Sequence, residues 1–193
     1  MSQALFSVLS AVTGILVFFL VIRLILQLVR ANYYNPISQG INRFSAPLLA
    51  PTARLIPDVG SLSLNTLVIA VLIQSVAAYG LALFFYSAAL NPAMVLVWSL
   101  VSIVGMVLKV FFFALIIMII LSWVAPQANH PGAELVFQVT EPVMAPVRRV
   151  MPELGGLDLS PIAVFLLIQF IENGALRPLA AALRVPGQLF FGV

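Results

Sequence analysis

Among the polar side chains within the long apolar runs of this 193-residue chain, Arg23, Gln74, Lys109, Gln169 and Glu172 stand out. Polar and ionisable groups are costly in hydrocarbon, so each is a candidate for function. Lys109 and Glu172 are of opposite charge. Lys109 stands about 15 residues before the end of its apolar run and Glu172 about 13 residues into the next, which at ~1.5 Å per residue gives similar depths in an antiparallel hairpin. They are expected to form an ion pair, acting as a pin between two helices or as a step on an ion or proton path. Arg23, Gln27 and Arg30 share a helical face at i, i+4 and i+7, so Arg23 is expected to snorkel toward a polar boundary. Gln74 and Gln169 are amides that can hydrogen-bond across a helix bundle for about 1 kcal/mol each. Their placement suggests facing positions at the bundle centre.

A second set of candidates lies between the apolar runs, where arginines are bracketed by prolines. Ser45, Pro47, Pro51, Arg54 and Pro57 recur as Thr140, Pro142, Pro146, Arg149 and Pro152, 95 residues later, and Arg148 adds a second cation to the later copy. Ser45 and Thr140 are expected to be N-caps, each followed by a proline in the first helical turn. Pro51 and Pro146 are then expected to kink or end the helix. Gly60 and Gly155-Gly156 supply the turn back toward the next apolar run. Two short, stiff elbows would present Arg54, Arg148 and Arg149 to anionic lipid headgroups or to a membrane-protein partner.

Other chemistries are poorly provided for. The chain has no cysteine and one histidine, His130. It cannot build a zinc site from its own residues, nor ligate a haem from both sides. It has no Gly-rich phosphate loop and no nucleophile–base–acid set, so neither an enzyme nor a cofactor is expected. The net charge of +3 is spread over segments flanking apolar runs and is not the footprint of a nucleic-acid binder.

The elements that position these residues follow from composition. The chain is 63% hydrophobic and 8% charged, with a mean hydropathy of +1.16. Soluble domains carry about a quarter charged residues. Four apolar runs stand out, from about Leu5 to Val29, Leu62 to Tyr86, Val95 to Val124, and from Leu159 until Glu172. Runs of this length read as membrane-spanning helices. No Lys or Arg precedes the first run, which argues against a cleaved signal peptide.

The 95-residue register extends beyond the elbows. Pro36 falls on Pro131, Gly60 on Gly155, Leu62 on Leu157 and Gln74 on Gln169. A repeat of this length is a whole supersecondary unit. The expected fold is therefore an all-α membrane protein with four transmembrane helices, arranged as two span–loop–span repeats over 1–95 and 96–193. Two spans per unit return the chain to its starting side, so the repeats are parallel in orientation. Ile37, Ile41, Phe44 and Leu48 in one loop, and Leu135, Val139 and Val143 in the other, predict interfacial amphipathic helices. Loops 30–61 and 125–158 hold five arginines against two at the C-terminal end, which predicts cytoplasmic loops and outward-facing termini. Lys109, Glu172, Arg148 and the Gly155-Gly156-Leu157-Asp158 turn occur only in the second copy, which makes that copy the expected seat of function.

The repeated segment resembles the YggT (YlmG) family. The resemblance is carried by Tyr34-Asn35-Pro36-Ile37-Ser38, Pro47, Pro51, Arg54 and Pro57. In the second copy it rests on Leu121-Ser122-Trp123, Thr140-Glu141-Pro142, Pro146-Val147-Arg148-Arg149, Pro152 and Gly155-Gly156-Leu157-Asp158-Leu159-Ser160-Pro161. Ser61 and Ser63 in the first copy replace Gly156 and Asp158. The resemblance implies a multi-pass protein of the bacterial inner membrane, without a settled biochemical activity. It also implies links to osmotic stress tolerance, to cell or plastid division, and to cytochrome b6 complex assembly in photosynthetic lineages. The expected function is a non-enzymatic membrane factor supporting envelope or membrane-complex homeostasis through partner or lipid docking at the elbows. The alternative is an ion or osmolyte conduit formed by a homo-oligomer and lined by Lys109, Glu172, Gln74 and Gln169.

Overall fold

The computed structural model describes residues 2–87, 89–124, 130–151, 158–190 and 192. The chain runs α1 (Ser2–Leu28), α2 (Pro36–Leu49), α3 (Leu64–Tyr86), α4 (Pro92–Val124), α5 (Pro131–Val150) and α6 (Ser160–Ile171). A π-helical segment (Glu172–Leu176) then leads into α7 (Arg177–Ala182). Four stretches are long and apolar enough to cross a membrane: Gln3–Leu28, Leu64–Tyr86, Pro92–Val124 and Ser160–Ala182. The protein is therefore an all-α, multi-pass membrane protein. At ~1.5 Å per residue, α4 is about 50 Å long, so it tilts or overhangs a 30 Å hydrocarbon core.

Local sequence sets the helix ends. Asn35 caps α2, its side-chain oxygen accepting from the Ile37 N–H, and Pro36 occupies the first turn. His130 and Pro131 do the same for α5, with Nδ1 accepting from the Gly132 N–H. A first-turn proline fits because its missing N–H has no intrahelical partner there. Between α2 and α3, Val59 and Leu62 exchange two backbone hydrogen bonds across Gly60-Ser61. Gly60 has φ +61°, which glycine adopts without a steric penalty.

The expected N-caps at Ser45 and Thr140 are overturned. Both residues are buried in mid-helix, and their hydroxyls donate back to the carbonyls of Ile41 (2.6 Å) and Val136 (2.9 Å). Helix α2 passes through Pro47 and ends at Leu49, just before Pro51. Helix α5 continues through both Pro142 and Pro146 to Val150. All three internal prolines face outward, where water or headgroups can meet the carbonyls they leave unpaired. The elbow of the first copy is a run of turns from Ala50, tied to α3 by Asn65, which donates to the Leu49 carbonyl and accepts from Thr52. Pro152 and Gly155-Gly156, the expected second elbow, lie outside the described residues.

Helix α1 packs along α3, α3 along α4, and α4 along α5, while α4 and α6 meet less extensively. The loop helices belong to the same core as the spans. Ile41 and Leu49 of α2, and Leu135 and Val139 of α5, join Val17, Leu20, Val21, Ile69 and Ile103. Small side chains let α3 and α4 approach closely, as at the 2.8 Å contact between the Ser75 and Ser99 hydroxyls.

The C-terminal segment folds back into the bundle. Trp98 Nε1 donates to the Leu183 carbonyl (2.9 Å), and Gln74 Nε2 to the Leu189 carbonyl (3.1 Å). Leu189 and Phe190 are buried against Ala78, Ala82 and Val95. Gly192 then lies against the backbone of α4 at Gly105, and neither glycine has room for a Cβ. Non-helical backbone is tolerated at this depth only where protein surrounds it. A Gly105→Leu substitution should therefore expel the tail. In the cysteine-free background, a cysteine introduced by Leu189→Cys should react slowly with maleimide when Gly105 is present and rapidly when it is replaced. Equal rates would contradict the docked tail.

Candidate functional site on the loop-helix face

The two loop helices meet, and four polar side chains hold them together. Asn32 donates its backbone N–H to Gln138 Oε1 (2.8 Å) and its side-chain amide to Glu134 Oε1 (2.9 Å). Asn35 donates to the Pro131 carbonyl (2.8 Å) and to Glu134 Oε2 (3.1 Å). Gln138 completes the set by donating to Glu134 Oε1 (3.0 Å). One carboxylate thus gathers both loops. The donors from Asn32, then Asn35, hold the Glu134 carboxyl below its ordinary range, with a smaller contribution from Gln138. Sequence reasoning missed this junction. Its available signal was the pair Asn35-Pro36 and His130-Pro131, cap and proline in the same register.

Each loop helix is also tied to the span before it, at equivalent positions 95 residues apart. In the first copy Arg23 Nη1 donates to Ser45 Oγ (2.7 Å) and to the Asn42 carbonyl (3.2 Å). Arg23 thus reaches into the loop helix that packs on α1. In the second copy the same two positions are Met118 and Thr140, and the Thr140 hydroxyl lies 3.2 Å from Met118 Sδ. The contact is kept while its chemistry changes from charged to nearly apolar.

The arginines expected at the elbows fall into two groups. Arg148 is engaged, with Glu141 at 3.2 Å and Asp158 at 3.3 Å. It braces the end of α5 against the start of α6, where Asp158 Oδ1 accepts from the Ser160 N–H (2.8 Å). The hydrogen bonds from Ser160, with help from Arg148, hold the Asp158 carboxyl below its usual range. Arg54 and Arg149 are exposed and form no ion pair among the described residues.

The intramembrane polar residues are not brought together. Glu172 pairs with Arg177 at 3.2 Å and not with Lys109. The π-helical segment that begins at Glu172 stacks Arg177 over it through an i→i+5 turn and bonds the Arg177 N–H to the Glu172 carbonyl. Lys109 instead lines an apolar groove of about 570 Å³ beside Phe18, Ile22, Val110 and Ile117, with no carboxylate paired to it among the described residues. Gln74 and Gln169 do not face each other. Gln74 holds the C-terminal tail, and Gln169 accepts from Asn173 (3.1 Å) one turn along its own helix. A conduit lined by these four residues is therefore not assembled within the monomer. Among the described residues there is also no group of three or more His, Asp or Glu placed to hold a metal ion.

Two outcomes follow from these ties. Because Glu134 titrates below its ordinary value near 4.5, its contribution to stability is present above that pH and is lost as pH falls through the lower folded value. Acid titration should therefore loosen the α2–α5 contact in the wild type but not in Glu134→Gln, read by disulfide trapping of cysteines placed in the two helices. Arg23→Met should cost about 1–3 kcal/mol by removing a hydrogen-bonded charge. Arg23→Met with Ser45→Thr, which copies the second repeat, should recover part of that loss in denaturant unfolding.

The CCB3/YggT family model matches the chain twice, over residues 2–84 and 97–179. An uncharacterised protein of Pseudomonas aeruginosa is 45% identical over 98% of this chain and 96% of its own length. The uncharacterised protein YggT of Escherichia coli K12 is 29% identical, covering 93% of this chain and 94% of that one. The chloroplast protein CCB3 of Arabidopsis thaliana, whose name describes cofactor assembly of complex C, is 32% identical over 40% of this chain and 45% of its own. No solved structure matches. The repeated Pro/Arg segment, the four spans and the double match together place the chain in the CCB3/YggT family.

Proposed function

We propose that this protein is a non-enzymatic factor of the bacterial inner membrane that supports the assembly or homeostasis of a membrane complex by docking a partner on its loop-helix face. The observation that carries this reading is the Asn32, Asn35, Glu134 and Gln138 junction, which makes one surface of two loop helices. Arg54, beyond the end of α2, and Arg149, at the end of α5, stay exposed, available to an acidic partner segment or to anionic headgroups. Pro51 and Pro57 stiffen the turn that carries Arg54, and Pro142 and Pro146 shape the outer face of α5. The name of the Arabidopsis relative adds support for an assembly role.

The two units, 1–95 and 96–193, insert with the same orientation, and their loops lie on the cytoplasmic side. The arginine distribution supports that sidedness. Osmotic tolerance is then a consequence of complex maintenance and not of conduction. A crosslinking pull-down from intact membranes tests the reading. The wild type should capture a defined membrane partner, and Arg54→Ala/Arg148→Ala/Arg149→Ala should lose most of it while inserting normally. An unchanged capture profile would sink the proposal.

A further inference from the structure

A cavity of about 810 Å³ opens between the end of α1 and the outer side of α2. Three guanidinium groups line it, those of Arg23, Arg30 and Arg43, and no carboxylate does among the described residues. Asp58 belongs to the adjoining cavity, where it accepts from Ser63 (2.8 Å). Asp58 also acts electrostatically on Arg23 and offsets part of its charge, whereas Arg30 and Arg43 form no ion pair among the described residues. Like charges gathered in one cavity repel one another, and an anion between them relieves that repulsion.

Two buried polar atoms point the same way. Ser38 is 3% exposed, and its hydroxyl has no hydrogen-bond partner. Arg23 spends Nη1 on α2, while its buried Nε–H is unpaired. Both atoms are closed off from the open space of the cavity. Buried polar groups nearly always find partners, so an anion that displaces the side chains covering them would be met by both.

Arg30 adds a third observation. It ends α1 in the left-handed region at φ +54°, with its N–H on the Gln27 carbonyl and the Ala31 N–H on the Leu26 carbonyl. That position in a helix-ending turn favours glycine. An arginine held there bears a conformational penalty for a guanidinium on the cavity rim.

We infer that this cavity binds a phosphate-bearing anion, held by Arg23, Arg30, Arg43 and Ser38. The forked donors of arginine suit phosphate oxygens, and the Ser38 hydroxyl can donate to a further one. The site belongs to the first copy alone. The equivalents of Arg23, Ser38 and Arg43 are Met118, Ala133 and Gln138, and that of Arg30 is Ala125. The inference stands independently of partner docking.

The test titrates the purified full-length protein in detergent with dioleoylphosphatidylglycerol in one arm and inorganic phosphate in the other. Dioleoylglycerol, which lacks phosphate, is the control, and both thermal unfolding and native mass spectrometry are read. The wild type should bind at least one phosphate probe saturably and not the control. Binding of the lipid alone assigns a headgroup, and binding of inorganic phosphate assigns a soluble anion; either supports the site. Arg30→Gln/Arg43→Gln should weaken binding about tenfold, as expected for lost charge-assisted hydrogen bonds, without moving the unliganded midpoint. Arg149→Gln/Arg184→Gln removes equal charge outside the cavity, from residues with no ion pair among the described residues, and should bind as the wild type does. Should the first double variant fail to fold, Arg43→Gln alone, at an exposed helical position, should weaken binding about threefold. Absence of saturable binding to either probe, or equal weakening by the two double variants, would overturn the inference.

Discussion

A polar group that these spans carry into an apolar environment is costly unless it is met from within the chain, and much of the fold is arranged around meeting such groups. Helix burial adds little directional preference when the surroundings are as apolar as the helices. The polar contacts therefore select which surfaces join. Arg23 draws α2 onto α1, Gln74 seats the C-terminal tail, and the Ser75–Ser99 pair registers α3 against α4. Where no neighbouring helix supplies a partner, the chain supplies one locally. Glu172 finds Arg177 because a π turn brings the two together on one helix.

The same constraint separates the two repeats. Equivalent positions keep their place in the architecture and change their chemistry. Asn35 and His130 both cap a loop helix ahead of a proline, but Asn35 also bridges to Glu134 across the repeat boundary. Arg23 and Met118 both touch the hydroxyl residue of their loop helix, yet only the arginine leaves an unpaired donor beside a cavity. Gln74 and Gln169 share a register, while only the first is buried against the tail. Equivalent positions can thus carry different chemistry, and the cavity lined by Arg23, Arg30 and Arg43 belongs to the first copy.

The loop helices are where these lines meet. They pack into the common core through Ile41, Leu49, Leu135 and Val139, and they are joined by a single carboxylate. A surface built this way is stiffer than a free loop, since each helix is tied to a span and to the other helix. It also gives the double occurrence of the family match a physical meaning, because the shared face needs a loop helix from each unit.

Much of this was legible in the chain itself. The four spans, the two loop helices and the 95-residue register follow from hydropathy and periodicity, because backbone in lipid has to satisfy itself within each helix and so obeys local rules. Helix starts at Pro36 and Pro131 were equally local. The pairing of side chains was not. Each residue rotates a helix face by about 100°, so a shift of one position sends a side chain to a different neighbour. The π segment makes such a shift and turns Arg177 onto Glu172. Ser45 and Thr140 read as caps by type, but burial of their hydroxyls against the preceding turn kept both helices running. The tail at Leu189 and Phe190 reads as a terminal segment until Gln74 and Gly105 are seen to receive it. Local backbone demands determined the elements, and only packing decided which polar groups would meet.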